Sequence, residues 1–112
     1  MANDLFANLE IEPSEVKQLL DRGEEILFVD VRETWEHQLC RIEGSQLIPL
    51  GQLASSLAAF ESAEDVVLFC HSGRRSLDAA AWLRSQGVSG ARSMAGGIDR
   101  WSREIDPSVP RY

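Results

Sequence analysis

The stretch VVLFCHSGRRSLDAAAWLRSQG, residues 66–87, predicts a complete strand–loop–helix unit. The apolar run Val66–Cys70, which predicts a strand over residues 65–70, is typical of a strand buried on both faces of a sheet. A short loop follows, and Ser76 is the expected N-cap of an alanine-rich helix that Gly87 ends. A buried strand that leads at once into a helix favours parallel pairing with right-handed crossovers.

The same alternation of strands and helices extends along the rest of the 112 residues. Further strands are predicted over residues 25–31, 45–50 and 90–94. Helices are predicted over residues 11–23, 33–39 and 53–60, and a loop and final helix over 96–105. The expected fold is a single α/β domain spanning residues 1–112. It is a compact sandwich whose mainly parallel sheet of about five strands has helices on both faces, with an irregular tail over 106–112.

Composition excludes several classes of function. A net charge of −7 argues against nucleic acid or an anionic membrane as a partner. No apolar run has the length of a membrane span, and the first fifteen residues lack the pattern of a signal peptide. Two cysteines are too few for a disulfide framework or a cysteine-rich zinc site. We therefore expect a cytoplasmic protein without a metal.

Three segments lie at the carboxyl ends of predicted strands. In a parallel sheet the carboxyl ends of all strands lie at one edge, where ligands bind. The segments expected to meet at that edge are 30–32, 70–75 and 94–97.

The segment after Cys70 has the features of an anion-binding loop. Gly73 allows unusual backbone angles, and a short curled loop turns successive N–H groups inward. The helix N-terminus adds partial positive charge, and Arg74 and Arg75 add full charges. These surroundings favour a thiolate over a thiol, so Cys70 is the candidate nucleophile. The alternative is that Cys70 is a small buried apolar residue at the end of a strand.

Four motifs in order resemble those of the rhodanese-like sulfurtransferases. CHSGRRS at 70–76 is similar to that family's active-site loop, and FVDVRETWEH at 28–37 resembles its Asp-Val-Arg segment. IEGSQLIPL at 42–50 and MAGGIDRW at 94–101 resemble two further segments. The likeness covers roughly residues 6–105, and the length matches the single-domain members.

The resemblance implies sulfur transfer by double displacement through a persulfide on Cys70. The donor would be thiosulfate or another sulfane-sulfur compound, and the acceptor a thiol, cyanide or a protein. The loop residues expected to bind substrate are His71, Ser72, Gly73, Arg74, Arg75 and Ser76. Arg74 and Arg75 would hold the donor oxygens, unless one of them faces solvent. No cofactor is implied.

Supporting roles are predicted for residues near the same edge. Asp30 and Arg32 are expected to form an ion pair that braces neighbouring loops, with substrate contact as the alternative. Gly96 and Gly97 are expected to allow close approach of backbone to the site.

The sequence leaves two interpretations open for each of two further side chains near that edge, His71 and Cys40. His71 is interpreted as lining the loop rather than as a general base. Cys40 is interpreted as an apolar filler rather than a resolving thiol.

Two rival functions remain open from the sequence. Phosphatases and arsenate reductases of related fold use a Cys-x5-Arg loop, and Arg75 falls one residue short of that spacing. A loop of this size suits a single charged sulfur atom better than a phosphate. The second rival is a persulfide carrier or redox-sensing module that works with a protein partner and has no significant small-molecule turnover.

Overall fold

The computed structural model describes residues 5–112, which contain five strands and four α-helices. The strands are β1 Glu10–Ile11, β2 Leu27–Asp30, β3 Gln46–Leu47, β4 Val66–Phe69 and β5 Ala91–Met94. The helices are α1 Pro13–Asp21, α2 Thr34–Leu39, α3 Arg74–Ser85 and α4 Gly97–Glu104. Two short 3-10 helices, Leu50–Gln52 and Ala54–Phe60, lie between β3 and β4.

The five strands form one sheet in the order β1-β5-β4-β2-β3, and every neighbouring pair is parallel. β4, which was predicted to be buried on both faces, lies at the centre of the sheet. All five carboxyl ends therefore point to the same edge, as expected for a parallel sheet. The predicted parallel α/β fold is confirmed.

Side chains of β4 alternate between two apolar clusters. Val66, Leu68 and Cys70 belong to one cluster, which contains residues of α3 and of the second 3-10 helix. Val67 and Phe69 belong to the other, which contains residues of α1 and α4. Because successive strand residues point to opposite faces, both faces of the sheet are covered by helices. This arrangement fixes the Cys70 side chain on the α3 side.

Two local elements differ from the expectation. β1 was not predicted, because a strand of two residues directly before a helix has no periodicity of its own. The predicted helix over residues 53–60 is a 3-10 helix over Ala54–Phe60, a tighter form that is common in short connections.

The end of β2 carries a buried ion pair. Asp30 and Arg32 are both fully buried, and two hydrogen bonds of 2.9 and 2.7 Å join the guanidinium to the carboxylate. Arg32 also donates 2.6 Å to the Cys40 carbonyl, and His37 Nδ1 lies 2.9 Å from Asp30. Burial alone would lower the pKa of Arg32, but its hydrogen bonds to Asp30 and Tyr112 outweigh burial and raise it. The geometry is that of the expected structural pair.

The chain after α4 is irregular but packed. Val109 is buried beside Trp101, and its carbonyl accepts a hydrogen bond from Ser102 Oγ. Tyr112 is partly buried and reaches the carboxyl edge of the sheet, where it meets Arg32. Within residues 5–112, no helix has the length and apolar character needed to cross a membrane.

The substitution Asp30→Asn should destabilise the protein by about 3–5 kcal/mol, because Arg32 would stay buried without its counter-charge. Asp21→Asn is the matched control, since it breaks an exposed pair in which Lys17 Nζ lies 2.6 Å from Asp21. That loss should be below about 1 kcal/mol. Urea unfolding at neutral pH measures both, and equal losses would contradict the structural role of Asp30.

Candidate active site

The loop after β4 turns into α3 earlier than the sequence indicated. Gly73 is the N-cap, with φ of 103°, and the helix begins at Arg74. The expected N-cap, Ser76, is instead the third residue of the helix. Gly73 makes the early turn possible because the left-handed region carries no steric penalty for glycine. Ser76 is therefore turned toward the start of the loop, where Cys70 lies.

The sulfur of Cys70 is surrounded by hydrogen-bond donors. The backbone N–H groups of Gly73 and Ser76 lie 3.1 and 3.3 Å from Sγ, and the Ser76 hydroxyl lies 3.4 Å away. Cys70 is 1% exposed, so these donors act where water is scarce. Donors that converge on one buried atom stabilise negative charge at that atom. The loop therefore forms a nest of donors around a single sulfur.

The carbonyl groups of the loop point the other way, toward the start of α4. Ile98 N–H donates to the Cys70 carbonyl at 2.8 Å, and Asp99 N–H donates to the His71 carbonyl at 3.0 Å. A Cβ on Gly97 would lie 2.4 Å from the first of these oxygens and 2.5 Å from the second. Gly97 also has φ of 62°, so no other residue type fits here without strain.

The neighbouring glycine turn packs against the same loop. A Cβ on Gly73 would lie 3.0 Å from the Gly96 backbone nitrogen, so the two turns touch through backbone. Gly96 itself has φ of 75°, in the left-handed region. The structure thus brings Cys70, Gly73, Gly96 and Gly97 together at the carboxyl edge of the sheet.

Arg75 is held by a carboxylate of α2. Its two terminal nitrogens lie 2.7 and 2.9 Å from the two oxygens of Glu36, which is buried. The hydrogen bonds from Arg75 lower the pKa of Glu36 to about 2, against a smaller opposing effect of burial. Hydrogen bonding to Glu36 in turn raises the pKa of Arg75. Arg75 therefore places a fixed positive charge beside the loop, and that charge is already paired with Glu36.

Arg74 has the opposite environment. Arg74 is exposed, and its side chain makes no hydrogen bond or ion pair to any residue in 5–112. Ser72 is exposed as well. Of the two arginines, Arg74 is the one whose guanidinium has no partner among residues 5–112.

Tyr112 is a residue that the sequence analysis missed. Its hydroxyl donates 2.5 Å to Glu36 and accepts 3.0 Å from Arg32, and its ring stacks on His71 with centroids 4.2 Å apart. Burial, followed by the hydrogen bond to Glu36, raises the pKa of Tyr112 to about 12. In the sequence, the only sign of its role was that it is an aromatic residue in a tail predicted to be irregular. His71 lines the loop through this stacking contact, and its ring makes no hydrogen bond within residues 5–112.

The two cysteines lie on opposite faces of the sheet. Cys70 packs in the cluster beneath α3, whereas Cys40 packs in the other cluster with Phe28 and Phe69. Both are free thiols, and Cys40 Sγ lies 3.8 Å from Arg32 Nη1. This placement supports the interpretation of Cys40 as a buried filler. Within the described part of the chain, no cluster of three His, Cys, Asp or Glu side chains is placed to hold a metal ion.

Comparison with known proteins shows which family this chain resembles. Residues 12–104 match the Rhodanese-like domain. MoeZ of Mycobacterium tuberculosis, a probable adenylyltransferase/sulfurtransferase, is 35% identical over 104 residues, which are 91% of this chain. The match covers only 26% of MoeZ, so the chain spans about a quarter of that relative.

Two shorter proteins match over nearly their whole length. A sulfurtransferase of Allochromatium vinosum is 32% identical over 100 residues, which are 89% of this chain and 94% of that protein. The solved structure of the human single-domain sulfurtransferase TSTD1 superposes with a TM-score of 0.77 and 32% identity, covering 86% of this chain and 96% of that one. The chain belongs to the rhodanese-like family of sulfurtransferases and sulfur carriers.

Proposed function

We propose that this protein transfers a sulfane sulfur from thiosulfate, or a similar anionic donor, to a thiophilic acceptor through a persulfide on Cys70. The observation that carries the proposal is the set of donors around one buried sulfur: two backbone N–H groups and the Ser76 hydroxyl. Such a site stabilises the Cys70 thiolate when Sγ carries no second sulfur atom.

The reaction runs in two displacements. The Cys70 thiolate attacks the outer sulfur of thiosulfate, forming an S–S bond as the S–S bond of the donor breaks and sulfite leaves with the electron pair. The negative charge then resides on the outer sulfur of the persulfide. Cyanide or a thiolate attacks that outer sulfur, and the Cys70 thiolate leaves. No net proton or electron is required, so the proposal invokes neither a redox cofactor nor a metal.

The persulfide needs further donors for its charged outer sulfur. The backbone N–H groups of Ser72, Arg74 and Arg75 make no hydrogen bond within residues 5–112. They belong to the same loop whose carbonyls are turned toward α4. We assign these N–H groups to the outer sulfur and to the oxygens of the donor.

The two arginines have separate roles in this proposal. Arg74 is exposed and meets the anionic donor, whereas Arg75 is held by Glu36 and contributes a fixed positive charge.

The pairing of Arg75 with Glu36 counts against the phosphatase alternative. A phosphate-binding loop needs an arginine that closes over the anion, and Arg75 lies in the first turn of α3 with both terminal nitrogens occupied.

A protein acceptor is favoured by a second observation, the apolar rim of the site. Trp35 and Leu39 of α2 are 60% and 54% exposed, and the Trp35 ring packs edge-on against Tyr112, which stacks on His71. Exposed aromatic side chains beside a reactive loop suit contact with another protein. Passage of the persulfide sulfur to a protein partner, in a reducing cytoplasm where both thiols stay free, is therefore the second candidate.

The substitution Cys70→Ser should abolish persulfide formation and thiosulfate:cyanide transfer without unfolding the protein. Mass spectrometry after exposure to thiosulfate should show a gain of one sulfur atom in the parent and none in the variant. Cys40→Ser is the control and should keep the gain, because Cys40 lies on the other face of the sheet. A sulfur gain in Cys70→Ser would refute the assignment. If the parent gains sulfur but transfers none to cyanide or small thiols, the carrier function is the correct one.

The substitution Arg74→Ala should raise the KM for thiosulfate by about tenfold, because a charged contact to an anion is lost. The effect should shrink as salt is added, since the guanidinium is exposed. Arg22→Ala is the control, because it makes the same charge change at the end of α1, at the opposite edge of the sheet. An unchanged KM in Arg74→Ala would assign the donor contact to backbone alone.

The substitution Gly97→Ala should remove most of the transfer activity, because its Cβ would push into the Cys70 and His71 carbonyls and turn the loop. Gly44→Ala is the matched control, since Gly44 has φ of 89° but nothing within 4 Å of its Cβ position. Both variants carry backbone strain of about 1–3 kcal/mol, and Gly97→Ala adds the clash with the two carbonyls, so its unfolding midpoint should fall further than that of Gly44→Ala. Activity that survives equally in both would show that the loop does not depend on α4.

A further inference from the structure

A pair of buried hydroxyls lies behind the Cys70 sulfur. Ser76 Oγ is 2.7 Å from Ser93 Oγ, and both residues are fully buried. Ser93 belongs to β5, and in the sequence it shows no sign of a role in the site. Ser76 Oγ has two further neighbours within hydrogen-bond distance, Cys70 Sγ at 3.4 Å and the Gly73 carbonyl at 3.3 Å.

The direction of the hydrogen bond between the two serines follows from counting donors. Each hydroxyl has one proton to donate and two lone pairs to accept with. Ser76 Oγ is the one partner that Ser93 Oγ has within residues 5–112. If Ser76 donated to Ser93, the Ser93 proton would be buried without an acceptor, which is costly. With Ser93 as donor, every proton finds an acceptor, and the Ser76 proton is left for the sulfur or for the Gly73 carbonyl.

We propose that Ser93 is a positioning residue that acts through Ser76: it donates to Ser76 Oγ and so strengthens the hydrogen bond that Ser76 donates to the Cys70 sulfur. This inference rests on the proposed role of Cys70 as the atom that accepts and releases sulfur. When Cys70 is a thiolate, Ser76 donates to Sγ. When Cys70 carries the persulfide, the charge lies on the outer sulfur and the Ser76 proton turns to the Gly73 carbonyl.

The two serines therefore favour the sulfur-free thiolate, the form that attacks the donor and the form that leaves on transfer to the acceptor. A hydroxyl that accepts one hydrogen bond donates a stronger one, so Ser93 strengthens the contact between Ser76 and the sulfur. Within residues 5–112, the Ser93 hydroxyl hydrogen-bonds neither the sulfur nor the loop carbonyls, so removing it should weaken the thiolate without removing a hydrogen bond to the sulfur.

The experiment is a double-mutant cycle of Ser93→Ala, Ser76→Ala and the double variant, read by the rate at which iodoacetamide alkylates Cys70. At acid pH the ionised fraction limits this rate, and its loss outweighs the gain in intrinsic reactivity of a less stabilised thiolate. Ser93→Ala should lower the rate about 1.5- to threefold, because accepting one hydrogen bond strengthens the hydrogen bond that Ser76 donates to the charged sulfur by about 10–30%. In the Ser76→Ala background, Ser93→Ala should have no further effect, because the hydroxyl through which it acts is absent.

Thermal unfolding of the same four proteins gives a second readout. Ser76→Ala leaves the Ser93 proton buried without an acceptor, so the double variant should be more stable than Ser76→Ala alone. A purely structural Ser93 would lower the alkylation rate by the same factor in both backgrounds, or not at all, and either result overturns the proposal. A double variant less stable than Ser76→Ala would also overturn it, because it would show that Ser76 is not the required acceptor.

Alkylation reports on the thiol alone and does not require sulfur transfer. If thiosulfate leaves no sulfur on parent Cys70, the proposed function fails, and the cycle still decides whether Ser93 acts through Ser76. If the parent forms the persulfide and the cycle is additive, the function stands and the role of Ser93 is wrong.

Discussion

The orientation of the peptide groups between Cys70 and Ser76 is the constraint on which the site depends. A nest needs its N–H groups directed inward, and this turns the carbonyls outward, where each needs a donor if it is buried. The first two N–H groups of α4 after Gly97 provide those donors for Cys70 and His71. The N-terminus of α4 has N–H groups without partners inside the helix, so these groups satisfy the carbonyls of the loop. The absence of a Cβ at Gly97 lets the two backbones come this close.

A network of buried charges ties this loop to three other parts of the chain. Asp30 and Arg32 at the end of β2, Glu36 in α2 and Tyr112 in the tail are joined by hydrogen bonds, and Glu36 also holds Arg75. Buried charges are costly unless each has its partners. Asp30, Arg32, Glu36 and Tyr112 each have at least two partners, and Arg75 is paired with Glu36, so the network holds α2, the tail and the start of α3 in one arrangement. The Arg75 charge is thereby kept close to Cys70 in a chain of net charge −7.

Much of the fold was predictable because its signals are local. The apolar run of β4 and the glycine after α3 identify their elements by residue type alone, and alternating strands and helices imply parallel pairing. The strand of two residues, the 3-10 form of Ala54–Phe60 and the start of α3 at Arg74 were missed or misplaced. β1 exists only through its pairing with β5, and the early start of α3 depends on the left-handed angle that Gly73 adopts in the fold. Residue type alone does not distinguish the 3-10 form of Ala54–Phe60 from an α-helix.

By itself the sequence determined the parallel α/β fold, the family resemblance and the choice of Cys70 as candidate nucleophile, since residue types in local order are sufficient for each. It could not separate Arg74 from Arg75, because both are loop arginines and only the placement of Glu36 on α2 gives one of them a partner. It also had no means to find Tyr112 or Ser93, which lie 76 residues from Glu36 and 17 from Ser76 along the chain. Their hydrogen bonds exist only after the sheet has brought the strand ends together. Which residue contacts the sulfur, and which supports that residue, was decided by the tertiary structure.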